Sequence, residues 1–248
     1  RRWREGLTPG AAVLLVGAGL IGCEFADDLA ALGYPVTVVD PSPWPLGRLL
    51  PAELGGELRL ALEARGVRFH LGRTLARVEP GAAYLDDGTV VPFARALAAM
   101  GLEARTTLAA EAGLETGRGG IVVDRTLRTR DPDIFALGDC AMSPAGPLPF
   151  VQPLLAQAKV LAATLTGQPT PLTLPALPVQ VKTTSLPVVA CPPPFGVNGT
   201  WQVEGQGADR TAVMLGGDGK AVGFALTGAH APRHRELAAT MPDLLPAV

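Results

Sequence analysis

The sequence predicts an α/β protein with two sections built on parallel strands, followed by a smaller α+β domain. Three observations carry this. A strand–glycine turn–helix–strand unit opens the chain, a second apolar segment runs into Gly138-Asp139, and five short extended segments follow a proline-dense stretch. Strands alternating with helices argue for parallel sheets, and a late run of strands argues for a separate module.

The first unit begins with Ala12 to Val16, a continuous apolar run that reads as a strand buried on both faces. Gly17-x-Gly19-x-x-Gly22 follows, then a helix over Glu24 to Leu32 with Gly33 as its C-cap. Val36 to Val39 is a second strand, ending at Asp40. Gly17 permits the tight turn, Gly19 lets the backbone approach a pyrophosphate, and Gly22 lets helix and strand pack closely. The phosphates would meet free N–H groups and the positive end of the helix. Asp40 lies 18 residues after Gly22. A carboxylate there accepts a hydrogen bond from the ribose 2′-hydroxyl of NAD and repels the 2′-phosphate of NADP. The competing reading is a glycine turn in unrelated helix–strand packing.

Residues 41–51 hold Pro41, Pro43, Pro45 and Pro51 and form a loop. A helix spans 52–65, stopped by Gly66, and Val67 to Leu71 is a strand. Asp86-Asp87-Gly88 is the turn of a hairpin, and Leu97 to Met100 is a strand ending at Gly101. A second section starts near Gly117, with strands at Ile121 to Val123 and Ile134 to Leu137 and a helix from Pro153 to Leu165. Residues 167–178 read as a linker. The last section has strands at 179–182, 186–190, 200–204, 211–215 and 221–227 and a helical tail near 234–240. The expected division is 1–116, 117–170 and 171–248.

Composition excludes several classes. Hydrophobic residues make up 48% and charged residues 18%, with a net charge of -2, so nothing electrostatic favours nucleic acid. No apolar run reaches the ~18 residues of a membrane span. Cys23, Cys140 and Cys191 have no CxxC spacing, which indicates neither a metal knuckle nor a local redox disulfide, and the count suits a cytoplasmic protein. His70, His230 and His234 are the only histidines. The last two, beside Arg233 and Arg235, read as a solvated face, and no Ser/His/Asp set is present. The chain begins at Arg1 without Met, so it is expected to be a fragment.

Taken in order, Gly17-Ala18-Gly19-Leu20-Ile21-Gly22-Cys23-Glu24, Ala99-Met100-Gly101 and Ile134-Phe135-Ala136-Leu137-Gly138-Asp139 resemble the two-dinucleotide-binding-domain flavoprotein reductases. That family includes glutathione, ferredoxin and rubredoxin reductases. Phe150-Val151-Gln152-Pro153-Leu154, Val179-Gln180-Val181-Lys182-Thr183 and Cys191-Pro192-Pro193-Pro194 are most similar to its rubredoxin–NAD reductase branch. The resemblance implies a Rossmann-like NAD domain over 1–116, the C-terminal part of a Rossmann-like FAD domain over 117–170, and a small α+β C-terminal domain over 171–248. The family carries an additional upstream GxGxxG for the ADP half of FAD, so the N-terminal FAD segment is expected to be missing.

The resemblance also implies roles. Gly17, Gly19, Leu20, Ile21 and Gly22 would line the NAD pyrophosphate, with Gly101 near the same diphosphate. Glu24 would orient nicotinamide and flavin. Gly138-Asp139 would hold the FAD ribitol, Val151 would offer its backbone to the flavin pyrimidine, and Lys182 would approach the flavin ring. The plainer readings are a first-turn acid for Glu24, a solvated strand lysine for Lys182, core for Val151 and a β-turn for Gly138-Asp139. The implied activity passes a hydride from NADH to FAD, then single electrons to rubredoxin or a similar small acidic electron-transfer protein. No side-chain catalyst, metal, nucleic acid or membrane takes part. Arg125, Arg128 and Arg130 or the basic tail would steer the acceptor. The alternatives are an NADH-dependent ferredoxin or nitrite reductase-type flavoprotein and a truncated NAD-binding module without turnover. Glu103-Ala104 departs from the family, where Arg-Pro is frequent, and apolar surface around 118–165 is expected to be exposed.

Overall fold

The computed structural model describes residues 7–247; residues 1–6 and 248, at the ends of the expected first and last domains, lie outside the described residues. Strands β1 (Val13–Val16), β2 (Val36–Asp40), β3 (Arg68–Leu71) and β7 (Arg95–Ala98) form a parallel sheet in the order β3-β2-β1-β7. Helices α1 (Leu20–Ala31) and α2 (Ala52–Ala64) make the crossovers. β1 lies in the middle because every side chain of Val13-Leu14-Leu15 is apolar and buried. The chain leaves β1 towards β2 on one side and returns as β7 on the other. The carboxyl ends of β1 and β7 therefore form the switch point where open α/β sheets bind ligands.

Strands β4 (Leu75–Glu79), β5 (Ala82–Leu85) and β6 (Val90–Pro92) form an antiparallel layer, with the expected turn at Asp86-Asp87-Gly88. Its inner residues Ala83, Leu85 and Val91 pack on Leu14 and Val39. The proline-rich loop after β2 is tied down: Leu46 N–H donates to Ala18 O at 2.8 Å, and Leu46 and Leu50 are buried.

After the short α3 (Thr107–Glu111), the middle section forms a sheet in the order β11-β10-β9-β8, from β8 (Thr116–Gly117), β9 (Gly120–Val122), β10 (Ala141–Ser143) and β11 (Gly146–Pro147). Helix α4 (Val151–Leu165) follows. Ile134 to Leu137 is not the strand its apolar run predicts. It forms one bridge, Phe135 with Arg128, closed by hydrogen bonds from Thr129 N to Ile134 O and from Ala136 N to Leu127 O. The turn just before it and the positive φ of Gly138 just after it leave no length for a ladder, and β10 pairs with β9 instead. Residues 167–178 do not hang free as a linker. Leu172 and Leu174 are buried with Val123 and Leu127, and Leu174 pairs with Leu245 from the tail. Ile134, Val151, Leu155 and Leu165 are exposed, in line with the apolar surface expected here.

The last section is an antiparallel sheet in the order β12-β13-β16-β15-β14. Its strands are β12 (Val179–Val181), β13 (Val188–Cys191), β14 (Thr200–Gln206), β15 (Asp209–Leu215) and β16 (Ala221–Thr227), followed by α5 (His234–Ala238). Alternation divides its side chains between two faces. Val181, Val188, Ala190, Ala212 and Ala225 share one core with Leu29 of α1 and Leu54, Leu58 and Leu62 of α2. Val189, Cys191, Phe224 and Leu226 face Ala231 and Met241. The C-terminal sheet is thus seated directly on the helices of the first section. Among the described residues, no helix is long and apolar enough to cross a membrane.

Candidate functional site

The glycine loop stands at the switch point. Gly17 has φ +110, and a Cβ there would lie 2.3 Å from Ala99 O of the crossover segment. A Cβ on Gly22 would lie 1.9 Å from Gly17 O. Both positions are closed to any side chain. Gly19 differs: it has an ordinary φ, and nothing lies within 4 Å of the Cβ position. It is also the N-cap of α1, where no side chain caps the helix and no acid occupies the first turn. The backbone amides at Leu20 and Ile21 therefore begin the helix beside an open space, an arrangement suited to an anion. These features fit a dinucleotide pyrophosphate.

Asp40 bonds this loop as well as standing at the end of β2. Its Oδ2 accepts Ala18 N–H at 2.6 Å and its Oδ1 accepts Ser42 N–H at 2.7 Å. Each carboxylate oxygen keeps further lone-pair capacity, so the ribose role is compatible with the bonds observed. Gly101, φ +102, continues the segment that packs on Gly17, with open space at its Cβ position. Burial, with Asp40 and Glu24 nearby, pushes the Cys23 thiol up to about 12, which makes it a packing residue.

Glu24 meets the C-terminal domain. It lies beyond the first turn of α1, so the plainer reading of a first-turn acid does not hold; its Oε1 instead accepts the backbone N–H of Lys182 at 2.9 Å. The Lys182 side chain is exposed. One turn further along α1, Asp27 is fully buried. Its Oδ2 accepts Thr184 N–H, Thr184 Oγ1–H at 2.9 Å and Ser185 N–H at 3.3 Å, and Arg65 Nη1 lies 3.1 Å from Oδ1. Burial pushes the Asp27 carboxyl up, but donors from Thr184 and Ser185 and the Arg65 guanidinium outweigh it, and the group is held below the ordinary carboxylate value.

The remaining candidates form a second group. Gly138 opens a 3₁₀ turn with φ +78, Asp139 is exposed beside it, and the Leu154 side chain of α4 lies against the Gly138 position. Val151 is 70% exposed at the first position of α4, so it is not core; Phe150 is the N-cap and no side chain caps this helix. A helix N-terminus and a turn carrying a carboxylate, both open to solvent, fit the polar half of a flavin nucleotide.

Sequence reasoning missed two residues here. Gln157, buried inside α4, accepts Gly138 N–H on its Oε1 at 2.7 Å and so holds the turn that presents Asp139. Asp27 is the other. The available signal was the residue type: a glutamine and an aspartate at positions that helical spacing turns inward. Of the arginines expected to steer an acceptor, Arg125 donates to Pro246 O and Arg128 lies 5.1 Å over the Phe135 ring. Both therefore have structural contacts. His230 Nδ1 bonds Thr211 Oγ1 at 2.9 Å, and His234 Nδ1 bonds Ala231 O at 3.0 Å.

Comparison with known proteins agrees with this geometry. Residues 1–163 match the family described as pyridine nucleotide-disulphide oxidoreductase, and residues 171–241 match a rubredoxin binding C-terminal domain. The chain is 39% identical over 250 residues to a rubredoxin-NAD(+) reductase of Alcanivorax borkumensis, covering 99% of this chain and 65% of that protein. It is 40% identical over 256 residues to the rubredoxin-NAD(+) reductase of Acinetobacter baylyi, covering 100% of this chain and again 65% of the relative. The chain thus spans just under two thirds of the length of the curated relatives it matches. A ferredoxin reductase structure from Rhodopseudomonas palustris superposes with a TM-score of 0.80 at 26% identity, covering 94% of this chain and 60% of that one. With a family match over residues 1–163, more than half of its length, the chain belongs to the pyridine nucleotide-disulphide oxidoreductase family.

Proposed function

We propose that this chain is the NADH-binding and acceptor-side part of an FAD-dependent NADH:rubredoxin reductase-type oxidoreductase of the cytoplasm. The observation that carries this is the bond from Lys182 N–H to Glu24, which joins the dinucleotide-binding helix to the domain that matches a rubredoxin-binding module. In this reading residues 1–116 bind NADH, residues 117–170 complete an FAD site, and residues 171–248 face the acceptor.

Gly17 and Gly22 keep the loop closed against Ala99, while Gly19, Leu20 and Ile21 present backbone N–H groups to the pyrophosphate and Gly101 faces the same diphosphate. Asp40 receives the ribose hydroxyl and repels a 2′-phosphate. Gly138 and Asp139 would hold the ribitol chain, and the Val151 N–H at the positive end of α4 would be offered to the flavin pyrimidine. Lys182 would supply a cation to stabilise negative charge on reduced flavin. The chemistry FAD supplies is conversion of one two-electron donation into two single-electron deliveries. The protein contributes proximity and orientation, with no side chain acting as acid, base or nucleophile.

The test is a visible absorption spectrum after FAD is added and the protein desalted, followed by anaerobic NADH or NADPH. The reading expects retained flavin bands that bleach with NADH and little with NADPH, then re-oxidation by rubredoxin. A chain that retains no flavin is an NAD-binding module without turnover. A second reading, a ferredoxin as acceptor, draws on the similarity to the R. palustris structure. Faster re-oxidation by a ferredoxin than by rubredoxin would select it.

A further inference from the structure

We propose that Asp27 is a positioning residue that fixes the 182–185 segment of the C-terminal domain on helix α1 and so sets where Lys182 stands. Its bearing on the flavin rests on the function proposed above; the anchoring does not.

Asp27 lies in the helix capped by Gly19, three residues beyond Glu24, on the same face. Its carboxylate is fully buried. A buried charge persists only when paired and hydrogen-bonded, and most donors to this one come from a single short segment 157 and 158 residues away: Thr184 N, Thr184 Oγ1 and Ser185 N. Arg65, at the end of α2, closes the cluster by meeting both Asp27 Oδ1 at 3.1 Å and Thr184 Oγ1 at 2.8 Å. The segment is braced internally, since buried Thr183 donates its hydroxyl to Leu186 O at 2.7 Å.

Lys182 is therefore held at its own backbone and again two residues further on. Glu24 accepts its own N–H, and Asp27 accepts the N–H two residues on. The shared apolar core of Leu29, Leu54, Leu58 and Val188 is enough to bring the sheet onto the helices, but apolar contact is non-directional. A buried ion adds little net stability over an apolar replacement, and its best-attested use is to specify register. Here the register is that of the Lys182 segment along α1.

The test is hydrogen exchange on the full 248-residue chain. Asp27→Ala is expected to raise exchange of the 182–185 amides about tenfold or more, while the amides of Val189 and Ala225 in the sheet keep their protection. Asp27→Asn retains one acceptor oxygen and should recover part of the loss. Unchanged protection at 182–185 in a folded Asp27→Ala chain, or equal loss throughout the sheet, overturns the proposal. If Asp27→Ala does not fold, Thr184→Val with Arg65→Met leaves Asp27 in place and strips its hydroxyl and guanidinium partners. Protection at 182–185 should then fall about threefold or more, and no change overturns the proposal equally. In FAD-loaded protein, Asp27→Asn should lower the flavin midpoint potential in the same direction as Lys182→Met, and the two shifts should not add. If Lys182→Met leaves the potential unmoved while exchange responds to Asp27, the flavin assignment fails and the anchor stands.

Discussion

Glu24 Oε1 and the backbone N–H of Lys182 are 2.9 Å apart, across 158 residues of sequence. The helix that carries the glycine loop is thereby joined to the C-terminal domain at the residue with the cationic side chain. Glu24→Ala should slow NADH-dependent reduction of FAD-loaded protein by about tenfold, the equivalent of one charge-assisted hydrogen bond. Glu24→Gln keeps an acceptor for Lys182 N–H and should lose less. The bond is exposed, so urea unfolding should register about 1 kcal/mol or less. Stopped-flow absorbance and the unfolding curves check both halves.

The three loop glycines separate by role. Gly22→Ala places a Cβ 1.9 Å from Gly17 O and should cost about 3 kcal/mol through backbone displacement. Gly19→Ala meets nothing within 4 Å and should cost about 1 kcal/mol or less at a helix N-cap. Under the function proposed above, the added methyl would enter the space assigned to the pyrophosphate. NADH titration of the folded Gly19→Ala chain should therefore show an affinity at least about tenfold weaker, from close contact that only glycine allows.

Gln157→Leu leaves Gly138 N–H buried without its acceptor, at a cost of about 1–3 kcal/mol. Gln157→Glu keeps an acceptor oxygen and should retain more of the FAD affinity than Gln157→Leu. Titration of both variants with FAD, followed by fluorescence quenching, decides this.

Stability should depend on pH through Asp27. Its carboxyl is held below the ordinary value by Thr184, Ser185 and Arg65 despite burial. A group with a depressed folded pKa contributes stability above its unfolded pKa, about 4 for Asp, and loses it as pH falls through the folded value. Asp124, also held low by Thr126 and Arg128 against burial, acts in the same direction. Stability should be level from about pH 7 to 5 and decline below about 4. In Asp27→Asn the decline should be shallower, as urea midpoints across this range would show.

Burial pushes the thiols of Cys23 and Cys191 up to about 12 and about 11, so both stay protonated and shielded near neutral pH. Cys140 is only half-buried. Native protein should react with a thiol reagent at Cys140 alone, and denatured protein at all three cysteines, as peptide mapping would show.

The sequence by itself determined the local architecture. Period, glycine placement and proline density located β1, the glycine loop, α1, β2 and α2, and all five strands of the C-terminal sheet fall within two residues of expectation. Those features arise from backbone sterics and from burial along a single segment, which neighbouring residues specify. Ile134 to Leu137 shows the limit: an apolar run makes a strand only where a partner has room to pair, and here β10 takes the place beside β9. Leu172 and Leu174 show the same limit, because proline density signals the absence of a helix but not where two leucines find a core. Only the tertiary structure decided that Asp27 is a buried anchor, that Gln157 holds the Gly138 turn, and that Glu24 bonds Lys182. Each is a directional bond between distant segments. Hydrogen-bond strength depends on distance and angle that no sequence period encodes.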